Sequence, residues 1–218
     1  MIMKIAITTL LSAVVAGSLF FFSNNTAMSE DKTPAKAPVV APEHQQITLG
    51  AGCFWCTEAV YNRLDGVISS TSGYMGGTRA NPTYNDVISN NTGEVEVVTV
   101  VYDPKKISTE KILEWFWALH DPTQVDGQGG DIGPQYLSAI FCHTDEQKKV
   151  AEKSKTSAQK DHKKPIATSI KKATKFHPAE VYHQDYYRLN KNQNPYCRLV
   201  ITPKMEKLKL ENKKDVGE

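Results

Sequence analysis

From residue 47 onward, apolar positions follow two rhythms that divide the chain into short strands and helices. Ile47 and Leu49 alternate with Thr48 and predict a strand ending in Gly50 and Ala51. Cys56, Ala59, Val60 and Leu64 then recur at helical spacing. Gly66 to Tyr74 reads as a strand, and Asn85 to Ser89 as a short helical piece between turns. The clearest strand runs from Glu94 to Tyr102, stopped by Asp103-Pro104. Val95, Val97, Thr99 and Val101 share one of its faces, and Glu96, Val98, Val100 and Tyr102 share the other. Both faces are apolar enough to be covered, which predicts a central strand. Ser108 caps a helix from Thr109 to His120, with Ile112, Phe116 and Leu119 inward. After the Gly-rich loop Asp121 to Pro134, Gln135 to Cys142 returns to strand. Thr144-x-x-Gln147 opens a helix to about Lys160 as a capping box. Beyond it the pattern predicts strands at Ala167 to Ala173 and Leu199 to Ile201, a short helix from Val181 to Leu189 and a charged helix from Pro203. The class is therefore α/β or α+β, one sheet with helices packed against it.

The N-terminus has a different texture. Lys4 precedes an apolar run from Ile5 to Phe22, followed by Ser23 to Ala27, the layout of a secretory signal. The expectation is an exported, periplasmic protein with a signal peptide over residues 1–27; the alternative is an uncleaved N-terminal anchor in the inner membrane. Residues 28–46 read as a Pro/Ala-rich linker. Residues 47–218 read as one domain with a charged tail, long enough for one well-buried core. Lys and Arg number 26 against 24 Asp and Glu, and the lysines form no stripe with aromatics, so no nucleic-acid partner is expected.

The chemistry gathers at Gly52-Cys53-Phe54-Trp55-Cys56. Cys53 falls at or just before a helix N-terminus, where free N–H groups and the macrodipole predict a lowered pKa and a usable nucleophile. Phe54 and Trp55 line an apolar pocket beside the sulfur or point into the core. The chain has four cysteines, and Cys53-x-x-Cys56 is too local to staple the domain, so redox chemistry explains the pair better than architecture. Cys142 reads as a small buried hydrophobe. Glu96 lies among valines without a basic sequence neighbour. Burial raises its pKa and makes it a general acid, unless it leans into solvent at the strand end. With tyrosine hydroxyls near turns, these ingredients suit reduction of an oxidised sulfur.

Gly52-Cys53-Phe54-Trp55, Ser72-Gly73-Tyr74, Gly76-Gly77, Asn81-Pro82-Thr83-Tyr84, Asp121-Pro122, Gly133, Gln135-Tyr136, Pro178-Ala179-Glu180 and Tyr182-His183-Gln184 follow one another in an order that resembles the A-type peptide methionine sulfoxide reductases. The resemblance runs from about Thr48 to Lys204. It implies reduction of methionine S-sulfoxide, free or in proteins, without metal or other cofactor. The domain it implies is α+β, a two-layer α/β sandwich of one mixed sheet with helices packed against it, ending in a long coil region. It implies Cys53 as the nucleophile, Glu96 as the acid, and Tyr84 and Tyr136 as hydrogen-bond donors to the sulfoxide oxygen. Phe54 and Trp55 would hold the methionine methyl group, and Asp131 would orient the substrate. Cys53 would become a sulfenic acid, condense with a resolving thiol and be reduced by a thioredoxin-like partner. Cys197 matches the recycling position and is preferred to Cys56, which one helical turn separates from Cys53.

Two departures flank Asp131: Asp126-Gly127-Gln128-Gly129-Gly130 stands where Asn-Arg-Gln-Gly is commoner, and Pro134 where Thr is usual. A monomer is expected. The rival readings are a thioredoxin-like dithiol oxidoreductase and a zinc module on Cys53, Cys56, His177 and His183. The first has no use for Glu96, Tyr84 or Tyr136, and the intervals fit no common zinc scheme. His177 and His183 read as structural hydrogen-bonders.

Overall fold

The computed structural model describes residues 31–89 and 91–216, so the expected export segment lies outside the described residues. In chain order the elements are β1 (Gln45–Gly50), α1 (Phe54–Tyr61), β2 (Val67–Met75), α2 (Tyr84–Ile88) and β3 (Val95–Tyr102). Then come α3 (Thr109–Leu119), β4 (Gly127–Gln128), β5 (Asp131–Ile132), β6 (Ala139–Cys142) and α4 (Asp145–Ala158). β7 (Ser169–Lys172), β8 (His177–Pro178), α5 (Tyr186–Asn190) and α6 (Thr202–Lys207) complete the chain. One sheet has the order β7-β6-β1-β3-β2-β8, and β4 and β5 form a separate hairpin. Every pairing is antiparallel except β6 with β7, so the sheet is mixed and the fold is α+β.

The valine-rich β3 is central, between β1 and β2, and all eight of its residues are buried. Its Val98, Val100 and Tyr102 face the main core with Phe54 and Val60 of α1 and Phe116 of α3. Val95 and Val97 pack on the opposite face with Met75, Ala139 and Phe141. The helices begin where capping predicts: Ser108 Oγ accepts the Lys111 N–H at 3.2 Å and Thr144 Oγ the Gln147 N–H at 3.1 Å. A cap of this kind contributes about 1 kcal/mol. The Gln147 side chain accepts from the His143 N–H and donates to the Gln46 carbonyl, fastening the start of α4 to β1.

Several elements differ from the expected ones. Pro134–Tyr136 is a single 3-10 turn, and the strand expected from Gln135 begins only at Ala139. The Val181–Leu189 helix is broken into a 3-10 turn, Val181–His183, and α5, because Asp185 takes φ +52° between them. Leu199–Ile201 is not a strand: Cys197–Ile201 forms a π-helical turn that runs into α6. Tertiary packing overrides the β-branched composition. Cys197, Ile201 and Met205 recur every four residues and are fully buried in the main core with α1, while Leu199 and Val200 face solvent. The coil expected at the C-terminus is thus helical from Cys197 to Lys207 and pinned afterwards. Arg63 meets Asp215 in a buried ion pair at 2.7 Å, and the Val216 N–H donates to the Asn62 carbonyl.

The stretch expected as a linker also makes structure. Residues 31–35 run antiparallel to residues 179–182 beside β8. The Ala35 N–H bonds the Ala179 carbonyl at 2.9 Å, Val181 N–H bonds Thr33, and Tyr182 N–H bonds Asp31.

Candidate active site

β1 ends at Gly50 and α1 starts at Phe54, so the tight connection Ala51-Gly52-Cys53 presents its last residue at the helix entrance. Gly52 has φ +87°, and a Cβ there would stand 2.6 Å from the Gln128 Cβ. Glycine is required both for the turn and for the approach of the β4–β5 hairpin. Cys53 is the N-cap residue with ψ 124°, so its sulfur precedes the helix rather than lying along it.

Glu96 of β3 reaches this entrance from the sheet. Its Oε2 accepts the Phe54 N–H at 3.1 Å, which places the carboxyl one residue from Cys53. The residue is 2% exposed, so the solvent-leaning alternative does not hold. Burial pushes the Glu96 pKa up to about 8, the Phe54 N–H opposing and Asp131 and Cys56 adding to the rise. At pH 7 the carboxyl is mostly protonated and can donate.

The lowered Cys53 pKa expected from the helix terminus is not found in this resting arrangement. Burial pushes the thiol well up, and the Cys56 hydrogen bond and the Glu96 carboxylate act in the same direction. The Glu96 part disappears while that group is protonated. Cys56 moves the opposite way, to about 7, because it accepts the Cys53 hydrogen bond; Lys204 and Tyr196 assist against burial. The more acidic thiol of the pair is Cys56. Cys197 is fully buried beside Cys56, and burial, with Cys56 second, raises its pKa. Cys142 is buried at the end of β6, away from the group.

Phe54 and Trp55 form one wall. The Phe54 ring is buried against Tyr74, with centroids 5.9 Å apart, and against His183 at 5.0 Å. Trp55 is partly buried; Tyr186 stacks flat on it at 3.7 Å and 6°, and its Nε1–H donates to His183 Nδ1 at 3.1 Å. His183 is neutral, since burial pushes it down to about 4. Tyr84 and Tyr136 close the other side. Burial raises both phenols, and each also feels the charges of Glu96 and Cys53. Glu180 holds Tyr84 in place by accepting its N–H at 2.8 Å, while its second oxygen accepts the Tyr74 hydroxyl.

Asp131 starts β5. The loop around it is stiffened by its own side chains: Gln128 bonds both the N–H and the carbonyl of Asp121, and Gln124 bonds both Gly129 backbone groups. Asp131 Oδ2 accepts the Tyr196 hydroxyl at 2.6 Å, and that hydroxyl lies 3.9 Å from Cys56 Sγ. Tyr196 also acts on Cys53, opposing the rise of its pKa, so one phenol links the aspartate to the thiol pair. Cys53, Phe54, Trp55, Cys56, Tyr84, Glu96, Asp131, Tyr136 and Cys197 therefore meet at the entrance of α1. Sequence reasoning did not single out Tyr196, Tyr186, Glu180 or Gln128. The signals available were the Tyr196-Cys197 adjacency and the tyrosines crowded between residues 182 and 187.

Comparison with known proteins places this arrangement. The family model described as peptide methionine sulfoxide reductase matches residues 45–216. The chain is 51% identical to the peptide methionine sulfoxide reductase MsrA of Saccharolobus solfataricus, over 73% of this chain and 90% of that one. It is 48% identical to MsrA 1 of Rhodopirellula baltica, over 76% and 86%. Among solved structures, reduced Mxr1 from Saccharomyces cerevisiae aligns with a TM-score of 0.71 at 34% identity, covering 74% of this chain and 94% of that chain. Mxr1 in complex with Trx2 aligns at 0.51 and 28% identity, covering 69% and 91%. Shared sequence over nearly the whole domain and a shared fold lead to one conclusion: this chain belongs to the A-type peptide methionine sulfoxide reductases.

Proposed function

We propose that the enzyme reduces methionine S-sulfoxide, free or in proteins, with Cys53 as nucleophile and Glu96 as acid. The Phe54 N–H···Glu96 bond carries this reading, because it holds a buried protonated carboxyl one residue from the attacking sulfur. Cys53 Sγ attacks the sulfoxide sulfur, and its proton passes to the Cys56 thiolate that accepts its hydrogen bond. Glu96 protonates the leaving oxygen, and Tyr84 and Tyr136 donate hydrogen bonds to it as charge develops. Phe54 and Trp55 receive the methyl group, and Asp131 orients the substrate. The protonated oxygen then moves from the substrate sulfur to Cys53 Sγ as the bond between the two sulfurs breaks. Methionine departs, Cys53 is left as a sulfenic acid, and the proton held by Cys56 returns to Glu96. Two electrons have left the sulfur of Cys53, and the sulfoxide has gained them.

Resolution begins at Cys56. An N-cap Cys53 lies at the entrance of the helix whose first turn carries Cys56, and Cys56 is the more acidic thiol. The sulfenic acid condenses with Cys56, expelling water; Cys197, beside Cys56, takes over in a second exchange. This order reverses the sequence preference for Cys197 as first partner. The complex of the yeast relative with Trx2 supports a thioredoxin-like dithiol as final donor. Lys4 and the apolar run to Phe22 support export, which makes oxidised envelope proteins the substrates.

The test is turnover of the separated S and R epimers, with Cys53→Ser as control and mass spectrometry of the oxidised enzyme. We expect activity on S only, none in Cys53→Ser, and a Cys53–Cys56 disulfide formed first. Turnover of R, or a first disulfide joining Cys53 to Cys197, overturns the corresponding step.

A further inference from the structure

The family match begins at residue 45, yet residues 31–35 are bonded to the main chain at residues 179–182, next to the aromatic wall. This strap brings Lys32 to the rim of a cavity of about 360 Å³ that also includes Trp55, Tyr84, Glu180, His183 and Tyr186. Trp55 and Tyr84 belong to the thiol site as well. The cavity thus shares two of its walls with the proposed methionine position.

Two features of the cavity point to a ligand. Trp55 Nε1–H is donor only, so His183 Nδ1 is the acceptor and the proton of the neutral ring sits on Nε2. That N–H is buried without a hydrogen-bond partner among the described residues; the Glu180 carboxylate, 3.9 Å away, is beyond bonding distance. A peptide carbonyl is the acceptor it lacks. The second feature is charge. Glu180 spends both oxygens on Tyr74 and on the Tyr84 N–H, whereas Lys32 is exposed and forms no ion pair among the described residues.

We propose that the strap-lined cavity is a subsite for the residue flanking methionine sulfoxide in a peptide, with Lys32 favouring a carboxylate side chain there. The inference rests on the reductase reading and makes Lys32 a specificity-determining residue that lies outside the matched family domain.

The experiment measures kcat/KM of the full chain on matched peptides with Glu or Lys before or after methionine sulfoxide, at low and at 0.3 M added salt as an order-of-magnitude screen. Wild type should favour one Glu peptide by about two- to fivefold, the range of an exposed ion pair, mostly through KM, and less so at high salt. Lys32→Ala should level the ratio and Lys32→Glu invert it, while Lys149→Glu on the far surface of α4 leaves it intact. The same ratio in wild type and both Lys32 variants overturns the proposal, as does a wild type indifferent to flanking charge. Failure of the reductase reading looks different: wild type would then turn over neither the peptides nor free methionine sulfoxide.

Discussion

Glu96→Gln separates proton donation from position. The amide oxygen can still accept the Phe54 N–H, so the entrance of α1 is kept while the acidic proton is lost. With a pKa of about 8, roughly 90% of Glu96 is protonated at pH 7; at its ordinary 4.5 the fraction would be about 0.3%, so burial raises the acid form about 300-fold. Losing a general acid should lower kcat by a factor on the order of 10²–10⁴. Wild-type kcat should fall as pH rises through about 8, and that limb should vanish in Glu96→Gln. Stability gives an independent reading. A folded pKa raised above the unfolded 4.5 contributes stability that is complete below pH 4.5 and is lost as pH climbs through about 8. The difference amounts to roughly 5 kcal/mol. Denaturant midpoints of wild type should therefore decline between pH 5 and 9 more steeply than those of Glu96→Gln, in an order-of-magnitude comparison. A Glu96→Gln enzyme within about tenfold of wild type, or parallel pH–stability curves, refutes the reasoning.

Tyr84→Phe and Tyr136→Phe should each reduce kcat on the order of 10² with little change in KM, as removal of a donor to developing charge does; stopped-flow methionine release checks this. Cys56→Ser should slow the first release of methionine, because the acceptor of the Cys53 proton is gone, and then stall at about one methionine per chain under a thioredoxin-like donor; sustained turnover would hand resolution to Cys197. Gly52→Ala should cost about 1–3 kcal/mol in backbone strain alone and push the Gln128 hairpin outward, read as a lower Tm and lost activity. Arg63→Ala strips the guanidinium from a buried Asp215 and should destabilise by about 3–5 kcal/mol in urea titration.

The reacting centre was legible in sequence where its parts are contiguous or where burial follows from a pattern. Cys53, Phe54 and Trp55 stand in a row, and the two apolar faces of β3 already imply a covered Glu96. Supporting contacts were not legible, since they join residues far apart: His183 to Trp55 across 128 positions, and Tyr196 to Cys56 across 140. The acidity of Cys53 departs from the expectation for a related reason. Helix position is visible in a sequence, whereas the Cys53–Cys56 hydrogen bond and complete burial, which outweigh it, arise only on folding. The run Leu199–Ile201 misled because local β preference is weak against a four-residue spacing that seats Cys197, Ile201 and Met205 on α1.

The late position of the C-terminal segment has a consequence for maturation. Central strands β1, β2, β3 and β6 are complete by residue 142, but the stacking partner of Trp55 and the phenol between the two thiols arrive only with residues 186 and 196. Such distant pairings close slowly. A nascent or proteolytically nicked chain can therefore own a finished sheet and still lack a working centre. Catalytic competence then reports that the segment from Tyr186 onward has docked, so nicking between α5 and α6 should silence the enzyme before it unfolds the domain.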